Sequence, residues 1–243
     1  MKTSNEDRTV RRHLAPAKLT LTLRVTGVRS DGLHILDAEM TTLDLTDELE
    51  FSEGDGLEVV GDRTNGVPTD DSNLVRKALE AAGRTARVRL HKRIPVGAGL
   101  GGGSADAAAV LRWAGVADLT VAASLGSDVP FCLVGGRARV TGVGEVLEPL
   151  PYEDRVFTLL SPPLTVSTPS VYRAWDELGG PTADGGNDLE AAALAVEPRL
   201  ARWRDRLGDA TGLTPRLAGS GATWFVEGAH SGPDLVMVRT ARP

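Results

Sequence analysis

Four of the five positions from Gly99 to Gly103 are glycine, and small helix formers follow at once, to Ala114. A segment almost bare of side chains lets backbone N–H groups close on a bulky anion. A helix beginning near Ser104 aims its free N–H groups and its positive end at the same point. Together they make a phosphate cradle. The Ser104 hydroxyl is placed to reach a phosphate oxygen or a metal ion. The plain alternative is a glycine-rich surface turn.

Two familiar glycine motifs fit poorly. A P-loop ends in Gly-Lys-Ser/Thr, and no lysine stands here. Gly97, Gly99 and Gly102 match G-x-G-x-x-G in spacing. That reading needs a strand running into the first glycine and an acid about 20 residues after the motif. Pro95 interrupts the approach, and Asp118 is too close and follows no strand pattern.

Composition narrows the classes. The chain has 243 residues, enough for one large domain or two small ones with a real core. Cys132 is the one cysteine, so no internal disulfide can form and a reducing, cytoplasmic setting is expected. Its neighbours Phe131 and Leu133 make it a buried thiol rather than a nucleophile. A net charge of −6 argues against general nucleic-acid binding. No apolar run approaches membrane-spanning length, Met1 to Arg12 lacks a signal-peptide core, and the scattered histidines offer no zinc pattern.

Leu19, Leu21, Leu23 and Val25 alternate with Thr20, Thr22, Arg24 and Thr26, which predicts a half-buried strand. Ala38 to Phe51 reads as extended structure in more than one piece. Ser72 or Asn73 caps a helix that stops at Gly83. Ala86, Val88 and Leu90 mark another strand. Asp118 caps a short helix ending near Gly126. Strands are expected at 137–140, 145–147, 155–160, near 214–218 and at 222–227. Thr168-Pro169 starts a helix through Leu178, and 198–207 is helical. Strands and helices mix without strict alternation, so the class is α+β. The proline- and acid-rich stretch Glu148 to Asp154 divides the chain into 1–150 and 151–243.

Lys18 has the parity of Pro16 and Thr20, opposite the apolar face, and alone reads as a solvated lysine. Asp128 alone reads as a turn or capping residue. The ordered set changes both. Ala15–Leu21, Asp31–His34, Lys92–Ala98, the glycine loop, Leu125–Phe131 and Leu217–Thr223 together resemble the GHMP kinases, from about Leu14 to Arg239. Within them the likeness is to the branch that phosphorylates the 2-hydroxyl of a cytidine diphosphate-linked methylerythritol.

The resemblance implies a two-domain fold. The N-terminal domain would be like ribosomal protein S5 domain 2, the smaller C-terminal one ferredoxin-like, with the site between them. It implies Lys18 and Asp128 as the catalytic pair. ATP would meet Pro95, Gly97, Gly99, Leu100, Gly101, Gly102, Gly103, Ser104 and Ala105, with Asn73 and Lys92 near the adenine. Thr20, His34 and Tyr172 would face the alcohol substrate, Tyr172 by stacking on cytosine. Magnesium would come with ATP and reach Ser104. A monomer or weak homodimer is expected, with a small molecule as partner and neither nucleic acid nor membrane.

The chain also departs from the family. Leu33 stands where the family has a stacking tyrosine, and Thr20 where it has asparagine. The segment before Asp128 is short, and Glu227 to Pro233 replaces a helix. These departures leave open a kinase for another alcohol, or a decayed nucleotide-binding homologue. A nicotinamide oxidoreductase, from the literal G-x-G-x-x-G match, is the weakest alternative.

Overall fold

The computed structural model describes residues 12–242. β1 (Arg12–Val28) and β2 (His34–Ser52) form a long antiparallel hairpin. β3 (Gly56–Val60), α1 (Leu74–Ala81) and β4 (Arg87–His91) follow as a β–α–β unit whose strands are parallel. Then come α2 (Gly102–Ala114), α3 (Leu119–Leu125), α4 (Val129–Val134) and the hairpin β5 (Arg137–Gly142) and β6 (Val146–Pro149). β2 is one strand, not several pieces. Its second edge serves two partners in turn, β5 from Leu36 to Thr41 and β4 from Glu48 to Ser52. That change of partner is what the sequence shows as broken patterning.

A second sheet follows the first. β7 (Val156–Leu160) leads to α5 (Thr168–Glu177), α6 (Glu190–Val196) and α7 (Leu200–Thr211), then β8 (Arg216–Leu217), β9 (Trp224–Glu227) and β10 (Leu235–Arg239). The strand order is β10-β7-β9-β8, antiparallel throughout. That is a ferredoxin-like order without a helix between β9 and β10, as the short 228–234 connection requires. Ser167, not Thr168, caps α5, its hydroxyl accepting from Ser170 N. β3, α4 and α6 carry too few residues for a readable period, and the sequence did not announce them.

Two apolar cores result. One runs from under the first sheet, where α2 packs against α1, α4 and β1, to the helices on the second sheet, with Val171, Ala192, Leu207 and Trp224. Every residue from Ala105 to Leu111 is buried, so α2 is enclosed on all sides. Alanine is what allows neighbours to approach that closely. The other core joins the sheets: Ala17, Leu19, Leu21 and Leu43 meet Phe157, Leu159, Phe225 and Val238. Each large side chain buried there contributes about 1.5–3 kcal/mol. β1 is therefore covered on both faces in this stretch, and the expected solvent face of Lys18 and Thr20 does not exist. They are 5% and 1% exposed.

Candidate active site

Gly97, Gly99 and Gly101 have φ of +66°, +76° and +69°, values that side chains disfavour. Space is short as well. A Cβ on Gly99 would lie 2.3 Å from the Ala218 carbonyl oxygen, and one on Gly101 would lie 2.8 Å from Lys18 Cγ. The bare loop is thus pressed between β1 and the Gly219–Ser220–Gly221 turn. Lys18 N donates to Leu100 O at 3.0 Å, and Thr223 N to Ala98 O at 3.1 Å.

α2 starts at Gly102, two residues before the expected Ser104, and Gly101 makes no side-chain cap. The first-turn N–H groups are left for a ligand. Ala105 is different. It is buried and its N–H bonds Gly101 O, so it stands behind the loop.

A cavity of about 430 Å³ opens on this helix end. Pro95, Gly97, Gly99 to Ser104, Asn73, Lys92, Lys18, Thr20, Asp128 and Tyr172 all line it. Lys18 Nζ and Asp128 Oδ2 are 3.3 Å apart, although 110 positions separate them in the chain (128 − 18). Lys18 also donates to Thr20 Oγ1 at 3.0 Å. Asp128 occupies the N-cap position of α4 but makes no capping bond. Its carboxylate is the more open partner, with 30% of its side chain exposed against 6% for Lys18.

Asn73 is engaged at both ends of its amide: Oδ1 accepts from Val75 N, capping α1, and Nδ2 donates to Pro68 O. Lys92 lines the cavity, yet its ammonium is taken by Asp47 and Asp106. Burial works against the Lys92 charge, but the two carboxylates outweigh it and raise its pKa. Burial, with Asp47 nearby, raises that of Asp106 against the pull of Lys92.

His34 lies in an adjoining cavity of about 450 Å³ that shares Tyr172, Thr168 and Ser127 with the first. Its Nε2 is 2.9 Å from Asp176 Oδ1, and its ring lies 4.6 Å from that of Tyr172 at 31°. Burial, then the nearby Asp128, pushes the Tyr172 phenol above its ordinary range, so it stays protonated. Burial also pushes the Cys132 thiol up to about 12, which leaves it unreactive.

Asn187 and Asp188 were missed in the sequence. Asn187 Nδ2 donates to Leu217 O and Gly219 O, holding the turn that faces Lys18. Asp188 accepts from Val25 N, Ala183 N and Arg24. The available signal was the turn text Gly185-Gly186-Asn187-Asp188. Asp106 was also missed, although it is the one charge inside an alanine run.

Comparisons with known proteins show the family and the fold. The family described as GHMP kinases N terminal domain matches residues 73–136. The 4-diphosphocytidyl-2-C-methyl-D-erythritol kinase of Paracoccus denitrificans (strain Pd 1222) is 41% identical over 235 residues, covering 88% of this chain and 86% of its own. A crystal structure of 4-(cytidine 5'-diphospho)-2C-methyl-D-erythritol kinase is 34% identical with a TM-score of 0.75, over 96% of this chain and all of that one. The mevalonate kinase of Methanococcus jannaschii shares the fold at 13% identity and a TM-score of 0.58, over 97% of this chain and 100% of its own.

Proposed function

The chain belongs to the 4-diphosphocytidyl-2-C-methyl-D-erythritol kinase family of the GHMP kinases, and from that premise we propose that it moves the terminal phosphoryl group of ATP to the 2-hydroxyl of that cytidine-linked alcohol. The product serves the non-mevalonate route to isoprenoids. The observation that carries the reading is the Lys18–Asp128 pair, 3.3 Å apart in the cavity that also holds the uncapped start of α2. Family membership overturns the nicotinamide reading of the G-x-G-x-x-G match.

An alcohol is too weak an acid for a carboxylate to deprotonate beforehand. Phosphoryl transfer has a loose transition state, so the proton can leave late. Asp128 holds the hydroxyl in line and takes its proton as the new oxygen–phosphorus bond forms and the bond to ADP breaks. Lys18 orients the Asp128 carboxylate and faces the charge spread over the phosphoryl oxygens. Thr20 holds Lys18 from the other side. The N–H groups of Gly102, Gly103 and Ser104 receive phosphate oxygens.

Magnesium accompanying ATP fits the donors present, because the Ser104 hydroxyl lines the cavity at the open start of α2 and this ion takes one or two protein oxygens with phosphate and water. Bound there, it would neutralise phosphate charge. Asn73 shapes the adenine end through α1, and Lys92 supports the loop from beneath. His34 and Tyr172 form the substrate side. Residues 1–150 form the ATP-binding domain and 151–243 the smaller one in this reading, and the buried, unpaired Cys132 suits the cytoplasm. Among the described residues, no helix is long and apolar enough to cross a membrane.

Asp128→Asn tests the mechanism. It should lower kcat by about 10²–10⁴-fold while the KM for ATP stays near the parent's. Equal loss of ATP affinity in steady-state kinetics would make Asp128 structural and sink the assignment.

A further inference from the structure

Asp47, Lys92 and Asp106 are 0%, 3% and 3% exposed and take no part in the transfer described above. They come from β2, from the residue after β4 and from the second turn of α2. Between them they bracket the glycine loop. Asp47 Oδ1 accepts from Arg93 N at 2.5 Å and Ile94 N at 2.9 Å, where the chain enters the loop. Its Oδ2 accepts from Lys92. Lys92 also donates to Asp106 Oδ2 at 2.9 Å, where the chain leaves the loop. A Cβ on Gly102 would lie 3.2 Å from Lys92 Nζ, so the ammonium sits directly under the first residue of α2.

The hydrogen bonds distinguish the two acids. Asp47 receives three donors. Asp106 receives one, from Lys92, and its Oδ1 has no partner among the described residues. We propose that Asp47 and Asp106 are positioning residues for ATP, acting through Lys92 to fix the entry and exit of the glycine loop. This rests on the kinase reading. A loop held in place beforehand loses little further freedom when nucleotide binds. A loop released at either end would have to be ordered by ATP itself.

The full chain as parent, Asp47→Asn and Asp106→Asn would be compared by steady-state kinetics, ATP calorimetry and thermal melting. Asp47→Asn turns an acceptor of Lys92 into an amide, and a further variant, Asp106→Ala, removes the acceptor at the loop exit. Each should raise the KM for ATP roughly tenfold or more, with kcat at saturating ATP and the KM for the alcohol nearly unchanged. Asp106→Asn keeps an oxygen toward Lys92, so its KM for ATP should return to within about threefold of the parent's. Lowered melting temperatures with an unchanged KM for ATP would reduce the cluster to a structural role and overturn the proposal. Asp106→Asn behaving like Asp106→Ala would overturn the role of Asp106 as the acceptor for Lys92.

ATP calorimetry on the folded fraction gives a readout that survives poor folding of a variant, and parent-like ATP affinity in both Asp47→Asn and Asp106→Ala would also overturn the proposal. Turnover of the parent on the cytidine substrate tests the kinase reading separately from the loop.

Discussion

At the scale of single residues the substrate side is the most informative. Tyr172 is expected to stack on cytosine, and the structure puts the His34 ring against it. His34 is held in turn by Asp176 and meets Trp175 edge-on at 5.7 Å. A base must therefore use the other face of Tyr172 or displace His34. Leu33 lies beside this group, 49% exposed at the hairpin turn, with nothing aromatic to offer. Tyr172→Ala should weaken a cytidine diphosphate ligand by about 1–3 kcal/mol with little change for ATP, and Leu33→Tyr should tighten the same ligand. Calorimetry on both variants decides, and no change in either would remove cytidine from this pocket. Lys18 shows where residue-level reading stops. Its alternation along β1 is real and correctly separates it from Leu19 and Leu21. A period of two says which residues share a face, not what covers that face. The glycine loop, Asp128 and the Gly219 turn, which lie against Lys18, come from sequence more than 75 residues away.

At the scale of elements the loop and α2 were legible because glycine and alanine each have one strong physical use, left-handed backbone and close helix packing. The helix start was misplaced by two residues because glycine disfavours helix by roughly 1 kcal/mol relative to alanine. Here packing overrides that preference: a Cβ on Gly102 would crowd Ile94 at 3.0 Å as well as Lys92. The site lysine and the loop are also one mechanical unit. Gly101→Ala puts a methyl 2.8 Å from Lys18 Cγ at a φ of +69°, and the backbone strain alone costs roughly 1–2 kcal/mol. ATP affinity and kcat should therefore fall together. Gly103→Ala is the comparison for stability alone, since Gly103 lies inside α2 and its Cβ would meet only Leu74 Cδ1 of α1, at 3.5 Å. It should raise the melting temperature. Should Gly101→Ala bind ATP and turn over like the parent, the loop and Lys18 are not coupled.

At the scale of the whole molecule the α+β class was readable from the mixed order of elements, but the closing of one sheet on the other was not. The apolar core between them uses residues that each sheet would bury anyway. Charged contacts at its rim are more open to test. Glu39 on β2 accepts from Arg137 at 2.7 Å and lies 4.0 Å from Arg155, which forks onto Glu227 of β9 at 2.9 and 2.8 Å. The Arg155 hydrogen bonds hold the Glu227 carboxyl below its ordinary range, with burial opposing them and Arg155 and Arg216 charges assisting. A carboxylate lowered on folding adds stability above its unfolded pKa of about 4.3, and that stability is lost as pH falls through the folded value. Melting temperature should therefore decline on the acid side, beginning below about pH 5. Glu227 is 52% exposed in its side chain, so solvent screening limits its share to about 1 kcal/mol or less. Glu227→Gln should flatten the acid limb slightly, and the difference from the parent should shrink in high salt. Parallel acid limbs for parent and Glu227→Gln at low salt would mean that the rim pair contributes nothing. Closure would then rest on the apolar core and on the contact of Gly99 with the Ala218 and Gly221 carbonyls.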